Sequence, residues 1–98
     1  MDGVYNIVDA QYPDEGGTYT GMVDIHPYGD VYRVTWRIGH DTYVGVGLLK
    51  GDMFMVGYGS SGGVVYYEQK GDGLVGRWGV SDNENAGVET LIRVHGPH

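Results

Sequence analysis

The chain has 98 residues, 41% of them hydrophobic, with nineteen glycines, nine tyrosines, two tryptophans and no cysteine. That length supports one domain with a modest core, the aromatic content separates it from disordered chains, and the missing cysteine excludes disulfides, thiol catalysis and thiolate metal sites. A formal charge of −7 with only six Lys and Arg disfavours nucleic acid and anionic membrane surfaces as partners, and no apolar run is long enough for membrane insertion.

The first strand is predicted over Gly3 to Ala10, with Tyr5 and Ile7 inward. Asp2, Asp9, Asp14 and Glu15 in this region leave no basic and apolar signal-peptide pattern in the chain. In the second strand Tyr19, Gly21, Val23 and Ile25 share one face, opposite Thr20, Met22 and Asp24. The third, Val31 to Ile38, is the clearest: Tyr32, Val34, Trp36 and Ile38 alternate with Val31, Arg33, Thr35 and Arg37, which makes Trp36 a core anchor.

From Thr42 to Leu49 both faces are apolar, with Tyr43, Gly45, Gly47 and Leu49 opposite Val44, Val46 and Leu48; in the next strand Met53 and Met55 oppose Phe54, Val56 and Tyr58. A second apolar face on this central hairpin predicts that a loop, a ligand or another protomer covers it, so Val44, Val46 and Leu48 are candidate self-association residues of a homodimer. Later strands are predicted over Gly63 to Gln69, Leu74 to Val80 and Val88 to Val94, with Trp78 a second anchor aligned with Leu74 and Gly76.

Turn signals recur every ten to twelve residues, including Pro27-Tyr28-Gly29-Asp30, Gly39-His40-Asp41, Lys50-Gly51-Asp52 and Lys70-Gly71-Asp72-Gly73. They predict an all-β chain: an antiparallel up-and-down meander of about eight short strands, closed or nearly closed into a small barrel, with a β-sandwich as the alternative. Pairing of the last strand with the first would hide both edges. Residues 1–94 are expected to form this single domain and 95–98 a flexible C-terminal tail. Glycine inside a strand costs stability, so Gly21, Gly45, Gly47 and Gly76, on the same predicted faces as Tyr19, Tyr43 and Trp78, are expected to make room for aromatic packing.

Chemistry is sparse. His26 and His40 fall at strand ends or turns, and a terminal His95-x-x-His98 without a helix presets no metal site. Asp82-Asn83-Glu84-Asn85 offers oxygen ligands for calcium, but an EF-hand would need its closing acid where Arg93 stands. Ser60 and Ser61 read as a hairpin loop, with no Walker lysine and no following helix. The predicted inner faces carry Tyr, Trp, Val and Gly, so no carboxylate pair is expected in a cleft. No catalytic residue, metal ligand or cofactor is assigned, and the chain is expected not to be an enzyme. Tyr28, Tyr58, Tyr66 and Tyr67 cannot all face one core with Tyr5, Tyr19, Tyr32 and Tyr43, because adjacent strand residues point oppositely; these four are candidate exposed binding residues.

The spaced pattern Gly3-x-Tyr5, Tyr19-x-Gly21-x-Val23-x-Ile25, Tyr32-x-Val34-x-Trp36-x-Ile38-Gly39, Tyr43-x-Gly45-x-Gly47, Val65-x-Tyr67, Asp72-Gly73-Leu74, Gly76-x-Trp78 and Glu89-x-Leu91 resembles small bacterial β-domains labelled fibronectin-binding-like. The resemblance implies a bacterial domain, exported or periplasmic, of largely unknown function and without a defined active-site motif. More coarsely, strand count and meander order are similar to avidin-like and lipocalin-like barrels, which hold a ligand in an open mouth, although strands this short suit an interior filled by side chains. The leading expectation is a non-enzymatic domain that binds a protein or other macromolecule, extracellular matrix proteins included, through exposed aromatics and the central hairpin. The alternatives are a small-molecule-binding calycin-like barrel and an acidic phage-type protein inhibitor.

Overall fold

Alternation and turn spacing together produce a barrel that closes on itself. The computed structural model describes residues 1–14, 16–59 and 62–94, so Glu15, Ser60, Ser61 and the tail at 95–98 with its two histidines lie outside the described residues. Eight strands follow in order: β1 (Gly3–Gln11), β2 (Gly21–Tyr28), β3 (Val31–Ile38), β4 (Asp41–Lys50), β5 (Met53–Tyr58), β6 (Gly63–Lys70), β7 (Gly73–Val80) and β8 (Gly87–Arg93). Each is antiparallel to its neighbours, and β8 pairs back onto β1, so the sandwich alternative is set aside and the sheet has no open edge. No helix occurs among the described residues.

The two ends of the barrel are built differently. At one end β2–β3, β4–β5 and β6–β7 turn through Gly29-Asp30, Gly51-Asp52 and Gly71-Asp72. The glycines have φ of 61°, 58° and 58°, the positive value that a type II′ two-residue hairpin needs at its first central position. At the other end the β1–β2 and β7–β8 connections are long. Asn83 and Asn85 donate their side-chain amides to the Asp14 carboxylate, tying those two loops together across the rim. The Asp82–Asn85 segment, considered above for calcium, is thus a loop-to-loop latch, and no cluster of three metal-ligating side chains exists among the described residues.

Tyr5, Ile7, Val23, Ile25, Val34, Phe54, Tyr67, Leu74 and Leu91 fill the short-turn half of the interior. Full burial of side chains of this size contributes about 1.5–3 kcal/mol each. In β1 the register with β8 shifts between Ile7 and Asp9, a bulge that turns both Ile7 and Ala10 inward although they are three apart. The expected role of glycine holds with different partners. A Cβ at Gly76 would stand 2.6 Å from the Tyr67 ring and from the Tyr66 carbonyl, and one at Gly47 would stand 2.5 Å from Phe54. These glycines therefore seat Tyr67 and Phe54 rather than Trp78 and Tyr43, whereas Gly21 is required by the Arg37 carbonyl.

On the outer wall Val44, Val46 and Leu48 are 59%, 52% and 57% exposed, and Met55 and Val64 lie open beside them. Of the three coverings expected for this face, a protomer, a ligand or a loop, the loop is not seen among the described residues: the long loops stand at the rim.

Candidate functional site

The interior is not filled throughout. Toward the long-loop end it opens into a cavity of about 190 Å³ lined by Tyr12, Tyr19, Trp36, Ile38, Tyr43, Tyr58, Val65, Trp78, Val80 and Glu89. Trp36, Val65 and Glu89 are buried at its deep end, and Tyr12 and Tyr43, each about two-fifths exposed, stand at its mouth. Small residues create the space for the larger ones: a Cβ at Gly63 would collide with the Tyr58 ring at 2.5 Å, and one at Gly87 with the Trp78 indole at 2.5 Å. The rings brace one another. Tyr12 and Tyr19 meet tilted at 4.7 Å, both meet Trp78 edge-on at 6.2 and 6.3 Å, and Tyr58 tilts against Trp36 at 5.3 Å. Edge-to-face and tilted pairs of this spacing add order-of-magnitude increments of about 0.5–1.5 kcal/mol, so the walls are set before any ligand arrives.

At the deep end a hydrogen-bonded chain crosses the barrel. Trp36 Nε1 donates to the Tyr67 hydroxyl at 3.0 Å, and that hydroxyl donates to Glu89 Oε2 at 2.9 Å. Three strands, β3, β6 and β8, thus fix one carboxyl group that is 3% exposed. Its other oxygen, Oε1, has no protein partner. Burial lifts the Glu89 carboxyl from the ordinary range to about 7, and the hydrogen bond from Tyr67 opposes part of that rise. Burial together with the Glu89 charge holds Tyr19 and Tyr67 well above the ordinary phenol range and pushes Tyr58 up to about 12. Trp78 Nε1 is, among the described residues, another buried polar atom without a partner; it lies close enough to Tyr19 to favour that phenol's ionised form, yet falls outside hydrogen-bond geometry.

The four candidate tyrosines do not converge. Tyr67 is fully buried, which corrects its assignment to an exposed surface: β6 turns Val65 and Tyr67 inward and Val64 and Tyr66 outward. Tyr58 lines the cavity. Tyr66 lies on the outer wall beside Val46, Leu48 and Met55. Tyr28 stands at the opposite end, at the close of β2, with the Arg33 guanidinium 3.7 Å above its ring. The inner faces expected to carry Tyr, Trp, Val and Gly also carry one carboxyl, that of Glu89. In Gly87-Val88-Glu89-Thr90-Leu91-Ile92 the β-branched set Val88, Thr90 and Ile92 competes for the inner face, and the structure turns Gly87, Glu89 and Leu91 inward instead. The available sign was Gly87, whose position must be empty for Trp78 to fit.

Comparison with known proteins agrees with this geometry at the level of the fold. No protein-family profile matches the sequence, and no curated protein matches it. Among solved structures the chain is similar to a protein titled REP1-NXSQ fatty acid transporter, with a TM-score of 0.69 and 13% identity over 98% of this chain and 97% of that one. It is also similar to fatty-acid-binding protein 1 of Echinococcus granulosus (TM-score 0.68, 10% identity, 97% and 98% covered) and to lipid binding protein 8 of Caenorhabditis elegans (0.64, 8%, 95% and 94%). The resemblance to fibronectin-binding-like domains is therefore corrected: the solved structures this chain is similar in fold to are titled as a fatty acid transporter, a fatty-acid-binding protein and a lipid binding protein.

Proposed function

We propose that this barrel is a non-enzymatic binder of a small, largely apolar molecule, held in the aromatic cavity at its long-loop end. The observation that carries the reading is the cavity itself: about 190 Å³ of space, walled by Tyr and Trp and open at one end, in a barrel whose other half is packed. Cavities of this kind are the usual seat of small ligands. An apolar cavity of about 150 Å³ accepts benzene, so this one suits a single ring with a short arm or an aliphatic body of similar size. The titles of the similar structures, which name fatty acid transport and fatty acid binding, support a small-molecule ligand over a macromolecular one. The expectation of a protein or matrix partner held by exposed aromatics is corrected accordingly, as Tyr67 is inside, Tyr58 faces the cavity, and Tyr28 and Tyr66 are far from it and from each other.

The test is titration of the protein with neutral one-ring compounds such as 2-phenylethanol, followed by Trp fluorescence and calorimetry. Binding should perturb Trp36 and Trp78, and Val65→Phe, which pushes a ring into the cavity, should abolish it while the barrel remains folded. Equal binding to the wild type and the filled variant would remove the cavity as the site.

A further inference from the structure

The cavity has a definite electrical sign. Among the described residues, Glu89 is the one cavity-lining ionisable group below the phenol range, and no Lys or Arg lines the cavity with it. Arg33, Arg37, Lys50, Lys70 and Arg77 are all exposed on the outside of the barrel. Arg93, the sixth, belongs to the opposite end, where its guanidinium donates to the Asp2 carbonyl and to the Tyr5 hydroxyl. The titratable side chains around Glu89 are the phenols of Tyr12, Tyr19, Tyr43 and Tyr58 along the cavity wall and Tyr67 behind it.

A buried carboxylate without a counter-charge is costly, and its cost is relieved when a cation comes to it. The Trp36–Tyr67–Glu89 chain occupies Oε2, while Oε1 is buried and has no hydrogen-bond partner, so the group is held in place with one oxygen unsatisfied. Glu89 shares the cavity wall with the rings of Trp36, Tyr58, Tyr19 and Trp78. Aromatic faces attract ammonium groups, and several rings about one carboxylate form the arrangement that recognises organic cations. A carboxylate ligand would instead bring a second negative charge into the same desolvated space, where like charges oppose ionisation. The net charge of −7 acts in the same direction at long range.

We propose that the cavity is selective for a small organic cation, a primary to tertiary ammonium on a compact one-ring or aliphatic body, with the ammonium on Glu89 and the body between Trp36, Tyr58, Tyr19 and Trp78. This rests on the cavity being the ligand site, and it separates this chain from barrels whose titles name fatty acids. The ammonium donates to Oε1, satisfying the carboxyl's free oxygen. Below pH 7 it also displaces the carboxyl proton, because pairing with a cation favours the ionised form; the phenols of Tyr19, Tyr58 and Tyr67, all raised by burial, stay neutral throughout.

Three probes that share a phenylethyl body decide the matter at pH 8: 2-phenylethylamine, 2-phenylethanol and 3-phenylpropanoate, titrated into the wild type and Glu89→Gln. The amine should bind about ten- to a hundredfold more tightly than the alcohol, as for a hydrogen bond to a charged group, and the propanoate more weakly than either. Glu89→Gln should bring the amine to within about threefold of the alcohol and leave the alcohol's own affinity almost unchanged. If the alcohol binds and the amine gains nothing, or the propanoate binds best, the cation proposal is overturned while the cavity reading stands; if none of the three binds, both fall. Should Glu89→Gln fail to fold, calorimetry of the wild type at pH 6 in two buffers of different ionisation enthalpy gives an independent answer. Amine binding should release nearly one proton and alcohol binding none, and amine binding without proton release would overturn the proposal.

Discussion

Replacing Glu89 by Gln should remove most of the pH dependence of stability between pH 4.5 and 7. In the folded barrel the carboxyl titrates near 7, against an ordinary value of 4.5 in the unfolded chain. Between those values the folded state keeps a proton that the unfolded state has released. Stability is therefore full below pH 4.5, falls as the pH rises, and levels off above 7. At about 1.4 kcal/mol per unit of displacement, the loss integrates to about 3 kcal/mol, a large share of the 5–15 kcal/mol that holds a typical domain. Glu89 is 3% exposed, so solvent screening does not reduce this figure much. Urea denaturation at pH 5 and pH 8 reads it directly. With a slope of about 1 kcal/mol per molar, the wild-type midpoint should fall by roughly 2–3 M between the two pH values, and that of Glu89→Gln should fall far less. Gln keeps the shape and the oxygen that accepts from Tyr67, and the histidines are common to both proteins, so the difference between the curves belongs to residue 89. Parallel curves would refute the reasoning, because they would mean that Glu89 is hydrated or paired in solution.

Tyr67→Phe should cost about 2–4 kcal/mol in chemical denaturation, since it orphans both the Trp36 N–H and Glu89 Oε2. It should also move the Glu89 carboxyl titration, followed by carbon-13 NMR, higher than about 7, because the lost hydrogen bond was favouring the ionised form. Gly76→Ala should destabilise by about 1–3 kcal/mol through collision with the Tyr67 ring and the Tyr66 carbonyl, whereas Gly57→Ala, with nothing within 4 Å of its added carbon, should change the urea midpoint by less than about 0.5 kcal/mol equivalent.

Local chemistry determined much of this protein. Period-two alternation in β3 placed Val34 and Trp36 inside, glycine followed by a polar residue set the short hairpins, and the regular spacing of turns announced eight antiparallel strands. Those features depend on neighbours a few residues apart, and so they were legible. The phase of β6 and β8 was not, because β6 carries Val and Tyr on both faces and the β-branched face of β8 is the one that turns outward, and only the space left by Gly76 and Gly87 for rings on adjacent strands selects which set turns inward. The same choice decided the site. Tyr67 moved from the surface to the interior, and Glu89 from an ordinary strand position to a buried carboxyl held by Tyr67, 22 positions before it, which is itself held by Trp36, a further 31 positions back. Whether eight short strands enclose a filled core or a cavity depends on how many rings meet at one end of the barrel. That quantity exists only after closure brings Tyr12, Tyr19, Trp36, Tyr58 and Trp78 around a common space.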